Sequence, residues 1–298
     1  MRATYVKNTT SGRIFDFFNV VFMVVLAFVM LYPFWNQLII SFNQGSDTMK
    51  GGLYFWPREF TLDSYSYMFD KGNLGKGAFI SVLRVVVGTV TTLFCSGLLA
   101  YITTVRWFSG RRFTRVLFLI TLYFSGGLIP TYLLINSLHL METFTVYWLP
   151  GLFSAYYMLL ISSYMYNLPE ALSESARIDG CGELRIYVQI IAPLCVPVFA
   201  AVAVFSAVNH WNSWFDVMLY NSSGKWDTLQ VYLRKVLLDV EQLSKLMDEQ
   251  RQMEGMRKLT PASIRAATTM IVTIPIILFY PFMQKYFMGG ITIGAVKE

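Results

Sequence analysis

Apolar residues run along the chain in six long blocks, at 14–40, 78–105, 113–135, 146–165, 193–215 and 264–286. A helix needs about 20 mostly apolar residues to cross roughly 30 Å of hydrocarbon, and each block is long enough. The pattern therefore predicts an all-α polytopic membrane protein with six transmembrane helices. Residues 1–13 and 287–298 are left as tails around a transmembrane domain at 14–286. Two polar stretches interrupt the series: a charged, glycine-punctuated segment at 167–193, and a longer loop at 217–262. Within the loop, Val236, Leu237, Val240, Leu243 and Leu246 recur at helical spacing, so 234–258 is expected to form an amphipathic helix.

Composition reinforces the pattern. Of 298 residues, 55% are hydrophobic and 14% charged, against about 25% charged in soluble domains. The first block follows basic Lys7 and Arg13 but is too long for a signal-peptide core and lacks a small-residue cleavage site, so it is expected to stay as an anchor. Orientation follows from positive charge in the short connections. The one after the second block carries Arg106, Arg111, Arg112 and Arg115 without an acid, and the one after the third carries only Glu142. Both termini, the arginine loop and the 167–193 segment are thus expected in the cytosol. The net charge of +6 calls for no nucleic acid.

Enzymatic chemistry finds no foothold. Cys95, Cys181 and Cys195 have neither disulfide nor metal spacing, and His139 and His210 are isolated from any ligand set. Gly75-Lys76-Gly77 lacks the earlier glycine and the Ser/Thr of a nucleotide-binding loop, so any ATP and magnesium must be bound by another chain. No hydrolase constellation is present. The Asn8 and Asn221 sequons carry almost no weight.

The polar segment at 167–193 reads as a bent helix-glycine-helix elbow. Asn167 can cap a helix, Pro169 suits its first turn, and Glu170 and Glu174 favour the positive end of its dipole. A first helix is expected from about Leu168 to Asp179, where Gly180 supplies a left-handed stop and Gly182 a second flexible point. A second would run from Glu183 to Ile191, against Pro193. Ala171, Leu172, Ser175 and Ala176 share one side and offer a small, lightly apolar face for close approach. A solvated surface helix with a glycine stop accounts for these features equally well.

The order Glu174-Ser175-Ala176, three residues, Gly180, nine residues, Ile190, one residue, Ala192-Pro193 resembles the coupling segment of ABC importer permeases. Their pattern has alanine where Ser175 stands and leucine where Ala192 stands. Ala176-Arg177-Ile178-Asp179-Gly180 is similar to the maltose-type carbohydrate branch. The stretches from Phe124 to Tyr132 and from Gly289 to Lys297 are similar to the subgroup importing oligosaccharides released from polysaccharides. The resemblance implies a type I importer permease in a bacterial cell membrane, paired with a second homologous permease, two cytosolic ATPases that bind ATP and magnesium, and an external solute-binding protein. It assigns ATPase coupling to Glu170, Glu174, Ser175, Ala176, Arg177, Asp179, Gly180, Ile190 and Pro193. The 234–258 helix could receive the binding protein or lie on the bilayer. An amino-acid or metal ABC permease is the nearest alternative. A secondary transporter, which usually shows internal repeats and ionisable residues near the midplane, fits less well, because the spans here are nearly free of acids.

A sugar path is suggested by Asn209, Trp211, Asn212, Trp214 and Asp216, which combine aromatic faces with amide and carboxylate groups. Tyr123 and Tyr156 are further candidates. An interfacial aromatic belt explains the tryptophans as well. Arg84 could pair with the second permease, meet an acidic sugar, or snorkel to the interface. Gly126, Gly127 and Pro130 interrupt the third block, either as a gating kink or, as the simpler expectation, within a packed helix.

Overall fold

The computed structural model describes residues 10–70, 73–249 and 259–295. Residues 1–9, 250–258 and 296–298, which include parts of both expected tails and of the 234–258 helix, lie outside the described residues. In chain order the α-helices are α1 (Thr10–Ser41), α2 (Gly45–Thr48), α3 (Asp63–Asp70), α4 (Leu74–Thr104), α5 (Arg111–Tyr123), α6 (Leu128–Ser137), α7 (Ala155–Met165), α8 (Ala171–Ile178), α9 (Glu183–Ile186), α10 (Ala192–Leu194), α11 (Val196–Asn212), α12 (Phe215–Tyr220), α13 (Leu229–Glu249) and α14 (Pro261–Ala295). They belong to two compact units, Met1–Asp70 with Leu237–Ile271, and Lys71–Val236 with Val272–Glu298.

Three single helices are long and apolar enough to cross a membrane, at Gly12–Ser41, Leu74–Thr104 and Pro261–Pro281. Three bent pairs bring the number of candidate spans to six among the described residues. The bends have local causes. Between α5 and α6 the axis turns by 119°, because Phe124 is extended and Gly127 takes φ 86°, a left-handed conformation open to glycine. The interruption expected at Gly126, Gly127 and Pro130 is thus a sharp break between two helices. Pro130 then falls in the first turn of α6, where no intrahelical N–H is required. Between α10 and α11 the turn is 82° and sits at Cys195, not at Pro193, since Pro193 lies within the short α10 and Pro197 in the first turn of α11. The preceding residues Tyr187–Ile191 form a π-helical turn.

In the first unit, α1 is exposed along most of its length, Phe15, Phe22 and Leu31 each being more than 60% accessible. Such an all-round apolar helix has to be covered by lipid or by another chain. The loop after it is tied by an antiparallel bridge between Asn43 and Phe60 and by the Arg58–Asp47 ion pair at 2.9 Å.

The second unit is built around α4, which packs against α7 and α11. Small residues make the approach close. A Cβ at Gly88 would lie 2.4 Å from His210 Nε2, and one at Gly97 2.4 Å from the Tyr187 hydroxyl and 2.9 Å from the Phe199 ring, the small-residue packing that membrane helices use in place of a hydrophobic driving force. Met158, Ile161, Ile186, Cys195 and Val202 are fully buried in this core. Hydroxyls in the spans bond back to their own helix, as Thr103 does to the Ala100 carbonyl at 2.7 Å. The helix expected at 234–258 begins earlier, at Leu229, with Leu229, Val231, Leu233 and Val236 buried.

Candidate functional site: the elbow between α7 and α11

The elbow begins three residues later than its sequence suggests. Asn167 does not cap it. Its side-chain amide donates back to the Ser163 carbonyl at 3.0 Å and extends the end of α7. Helix α8 starts at Ala171, after a turn in which the Glu170 carbonyl accepts from the Ser173 and Glu174 amides at 2.9 and 3.1 Å. It ends in a Schellman motif: the Cys181 amide donates to the Ala176 carbonyl at 2.9 Å and the Gly180 amide to the Arg177 carbonyl at 3.0 Å, with Gly180 at φ 81°. A Cβ at Gly180 would meet nothing within 4 Å, so the position requires glycine for its backbone alone.

The faces of α8 are assigned differently from the sequence expectation. Ala176 is buried, joining Tyr187, Ile186 and Tyr101 in the core of its own chain, so it does not belong to an outward docking face. Ala171, Leu172, Ser175, Ile178 and Asp179 are exposed, at spacings that gather them on one side of the helix. Ile178, 86% accessible, is joined across the bend by Leu184 at 65% and Val188 at 53%. Sequence reasoning singled out none of these three as contact residues. The available signal was the spacing of Ile178 from Ala171 and Leu172, seven and six residues on.

Polar contacts fix the elbow to the body. Arg177 Nε donates to Glu183 Oε1 at 2.7 Å, spanning the glycine bend, and the Tyr101 hydroxyl at the end of α4 donates to the other oxygen of the same carboxylate. Arg106, just beyond α4, pairs with Glu170 at 2.8 Å, and the Tyr166 hydroxyl donates to the Thr103 carbonyl at 2.9 Å. Glu183 is a further residue that sequence reasoning missed. Between the elbow and the arginine-rich connection lies a cavity of about 360 Å³, lined by Arg106, Trp107, Arg111, Glu174 and Arg177 among others. Glu174 and Ser175 are exposed, Ser175 bonding back to the Ala171 carbonyl at 2.8 Å. Ile190 packs at the core edge and Pro193 is exposed.

At the other end of α4, the candidate sugar-path residues are divided. Three have structural partners within the chain: the Trp211 indole donates to the Val272 carbonyl at 3.3 Å, close before Pro275, Arg234 lies 4.0 Å above the Trp214 ring, and Asp216 forms an ion pair with Arg84. Arg84, with 3% of its side chain accessible, also lies 4.9 Å from the Tyr147 ring. Asn209 and Asn212 are exposed, and so, elsewhere in the unit, are Tyr123 at the end of α5 and Tyr156 in the first turn of α7, near Ser96 of α4. Nearby, Glu142 accepts from the Ser222 amide at 2.8 Å and from the Ser222 and Ser223 hydroxyls, which hold its carboxyl at about 2, below its usual 4.5.

No family model matches the chain. Known proteins do. It is 34% identical over 96% of its length, and 99% of the relative's, to the polygalacturonan/rhamnogalacturonan transport system permease protein YtcP of Bacillus subtilis (strain 168). The chain is a carbohydrate-uptake ABC importer permease. This permease is also 30% identical to the arabinooligosaccharides transport system permease protein AraQ of Halalkalibacterium halodurans, over 91% of its own chain and 93% of the relative. In fold it is similar, with TM-score 0.82 and 25% identity, to a chain in the crystal structure of a bacterial ABC transporter involved in the import of the acidic polysaccharide alginate, covering 94% of this permease and 98% of that chain. Permeases of this family have no catalytic site of their own, and ATP and magnesium are bound by their partner ATPases.

Proposed function

We propose that this permease forms half of the pore of an importer for oligosaccharides cut from plant or other acidic and arabinose-containing polysaccharides. The relatives named above are named for transport of polygalacturonan/rhamnogalacturonan and arabinooligosaccharides, and the similar structure for import of alginate, which supports the reading. Its partners would be a second homologous permease, two cytosolic ATPases and an external solute-binding protein. The elbow faces the cytosol, on the side of the arginine-rich connection, and seats in a cleft of one ATPase. Closure of the ATPases on ATP moves the elbow, and the motion reaches α4 and α11 as a rigid-body displacement.

The observation that carries this reading is the division of α8 into two faces. Buried Ala176 and the Arg177–Glu183–Tyr101 contacts bind the elbow to the span bundle, while Ile178, Leu172 and Ser175 are left for a partner. Force applied to Ile178 is then delivered to the end of α4 without the elbow folding away. Glu174 and Asp179 add an acidic rim for a basic partner surface, beside Glu170, which is paired with Arg106. On the opposite side, exposed Asn209 and Asn212 on α11, with Tyr123 and Tyr156, supply hydrogen bonds and aromatic faces along the sugar route. Trp211, Trp214 and Asp216 hold the wall behind them.

Ile178→Glu tests the docking. A buried apolar anchor replaced by a charge is expected to cost about 2 kcal/mol or more of association, seen as at least a ~30-fold loss of ATPase retention on copurification, with the permease still inserted. Full ATPase retention in that variant would overturn the assignment of this face.

A further inference from the structure

We infer that the cavity beside the elbow is a binding site for the headgroup of an anionic phospholipid, its phosphodiester lying between Arg106 and Arg111 with Trp107 against the glycerol region. The first observation is the cavity, about 360 Å³ and bordered by Arg106, Arg111, Arg177 and Trp107, a size that suits a headgroup. The second is an imbalance of charge around it. Arg106 is paired with Glu170 and Arg177 with Glu183, but Arg111 on the cavity wall, and Arg112 and Arg115 next to it on α5 but outside the lining, form no ion pair with an acid among the described residues. These three occupy the first turn and a half of α5, which has no acid in its first turn and no side-chain cap. Cations at the positive end of a helix dipole are unfavourable, and an anion placed there would relieve both terms. Arg115 is stacked 5.0 Å from the Tyr166 ring, and its Nε is buried without a partner.

The level of the site favours a lipid over a protein acid as the occupant. Helix α4 carries the candidate span Leu74–Thr104, more than long enough to cross the hydrocarbon layer. The cavity opens just beyond Thr104, at the end of that span. The residues that follow on α5 and beside it, Phe113 at 73% and Trp107 at 65% accessible, are those of an interfacial anchor. Glu174 on the cavity wall repels a second negative charge, so one phosphodiester is the expected load. A zwitterionic headgroup would bring its ammonium among arginines, whereas phosphatidylglycerol brings only the negative charge.

The test is titration of the whole transporter complex in detergent with phosphatidylglycerol or phosphatidylcholine, read by native mass spectrometry. One phosphatidylglycerol is expected to bind saturably at this permease, with phosphatidylcholine bound at least ~10-fold more weakly. The variant Arg111→Gln/Arg112→Gln should weaken phosphatidylglycerol by roughly 30-fold. Arg111→Lys/Arg112→Lys should retain it within a few-fold, which guards against a loss due to misfolding, and Lys225→Gln at the other end of the unit should leave it unchanged. Glu170→Gln, which releases Arg106, should tighten it. Unaltered phosphatidylglycerol binding in the double glutamine variant overturns the site. So does equal displacement by soluble glycerol phosphate, which would assign a free anion. Loss of the ATPases from that variant with its lipid retained would assign the arginines to a protein partner and overturn it also.

Discussion

The two ends of the α4-centred unit are stabilised in opposite ways. At one end, Glu142 receives the Ser222 and Ser223 groups, its amide donates to the Tyr220 carbonyl and its carbonyl accepts from the Trp226 indole. Asp227 joins Asn221 and Lys235 beside it, and the Arg84–Asp216 pair lies in the bundle. The carboxylates there are all paired within the chain, although Arg84 Nε, Thr89 Oγ1 and Thr228 Oγ1 are buried without a partner. At the elbow end, Ala176 and the Arg177–Glu183–Tyr101 contacts lie on the inner side, the Arg106–Glu170 pair is exposed, and Ile178, Leu184 and Val188 are left exposed with a cavity open beside the elbow. The first end is finished largely within the chain. The second is held on its inner side and leaves an apolar outer face open, the face proposed above to receive an ATPase.

That contrast can be broken most severely at the finished end. Asp216→Asn strands buried Arg84 without its countercharge, and is expected to destabilise the permease by about 3–5 kcal/mol, whereas Arg84→Gln/Asp216→Asn together should cost less than Asp216→Asn alone. Thermal unfolding of the purified complex reads the difference, and an additive double variant would remove the ion pair from the account. Next in size is the close crossing shared by the two ends. Gly97→Val forces the Tyr187 hydroxyl and the Phe199 ring to move, with an expected loss of about 1–3 kcal/mol, measured in the same assay. Gly151→Ala, whose Cβ would meet nothing within 4 Å, is the matched control and should change little.

The smallest effect is on pH. Glu142 has its carboxyl lowered in the folded chain to about 2 from 4.5, so its contribution is fully present above about pH 4.5 and is lost as pH falls through about 2. Between pH 7 and 5 the Ser222–Ser223 cap should be unaffected. A wild-type loss of stability below pH 4.5 that is reduced in Glu142→Gln checks the sign, and identical acid profiles would contradict it.

Much of the architecture was readable before any coordinate was known, and the reasons are particular. Six blocks of sufficient length announce six spans, because lipid demands length and apolarity and little else. The elbow was legible because Gly180 and its neighbours have strong local preferences. The break at Phe124–Gly127 was read as packing, since a glycine pair in an apolar block marks a kink and a close contact alike. The inward turn of Ala176 was hidden for a different reason. Periodicity groups residues on a face but does not say whether that face meets its own chain or another. Likewise Trp211, Trp214 and Asp216 have sugar-binding chemistry in isolation, and the sequence does not show that each has a partner within the chain, 61, 20 and 132 residues away.

The central claim is that the elbow passes motion without yielding, and Gly180 is where it would yield first. In the reconstituted complex with its binding protein and oligosaccharide, the ratio of sugar imported to ATP hydrolysed should fall at least ~10-fold in Gly180→Val, since a β-branched residue at φ 81° costs about 1–3 kcal/mol and is relieved by changing the bend. Gly180→Asn, which accepts the left-handed conformation, should retain most of the ratio, and both variants should insert normally. A wild-type ratio in Gly180→Val would contradict the account.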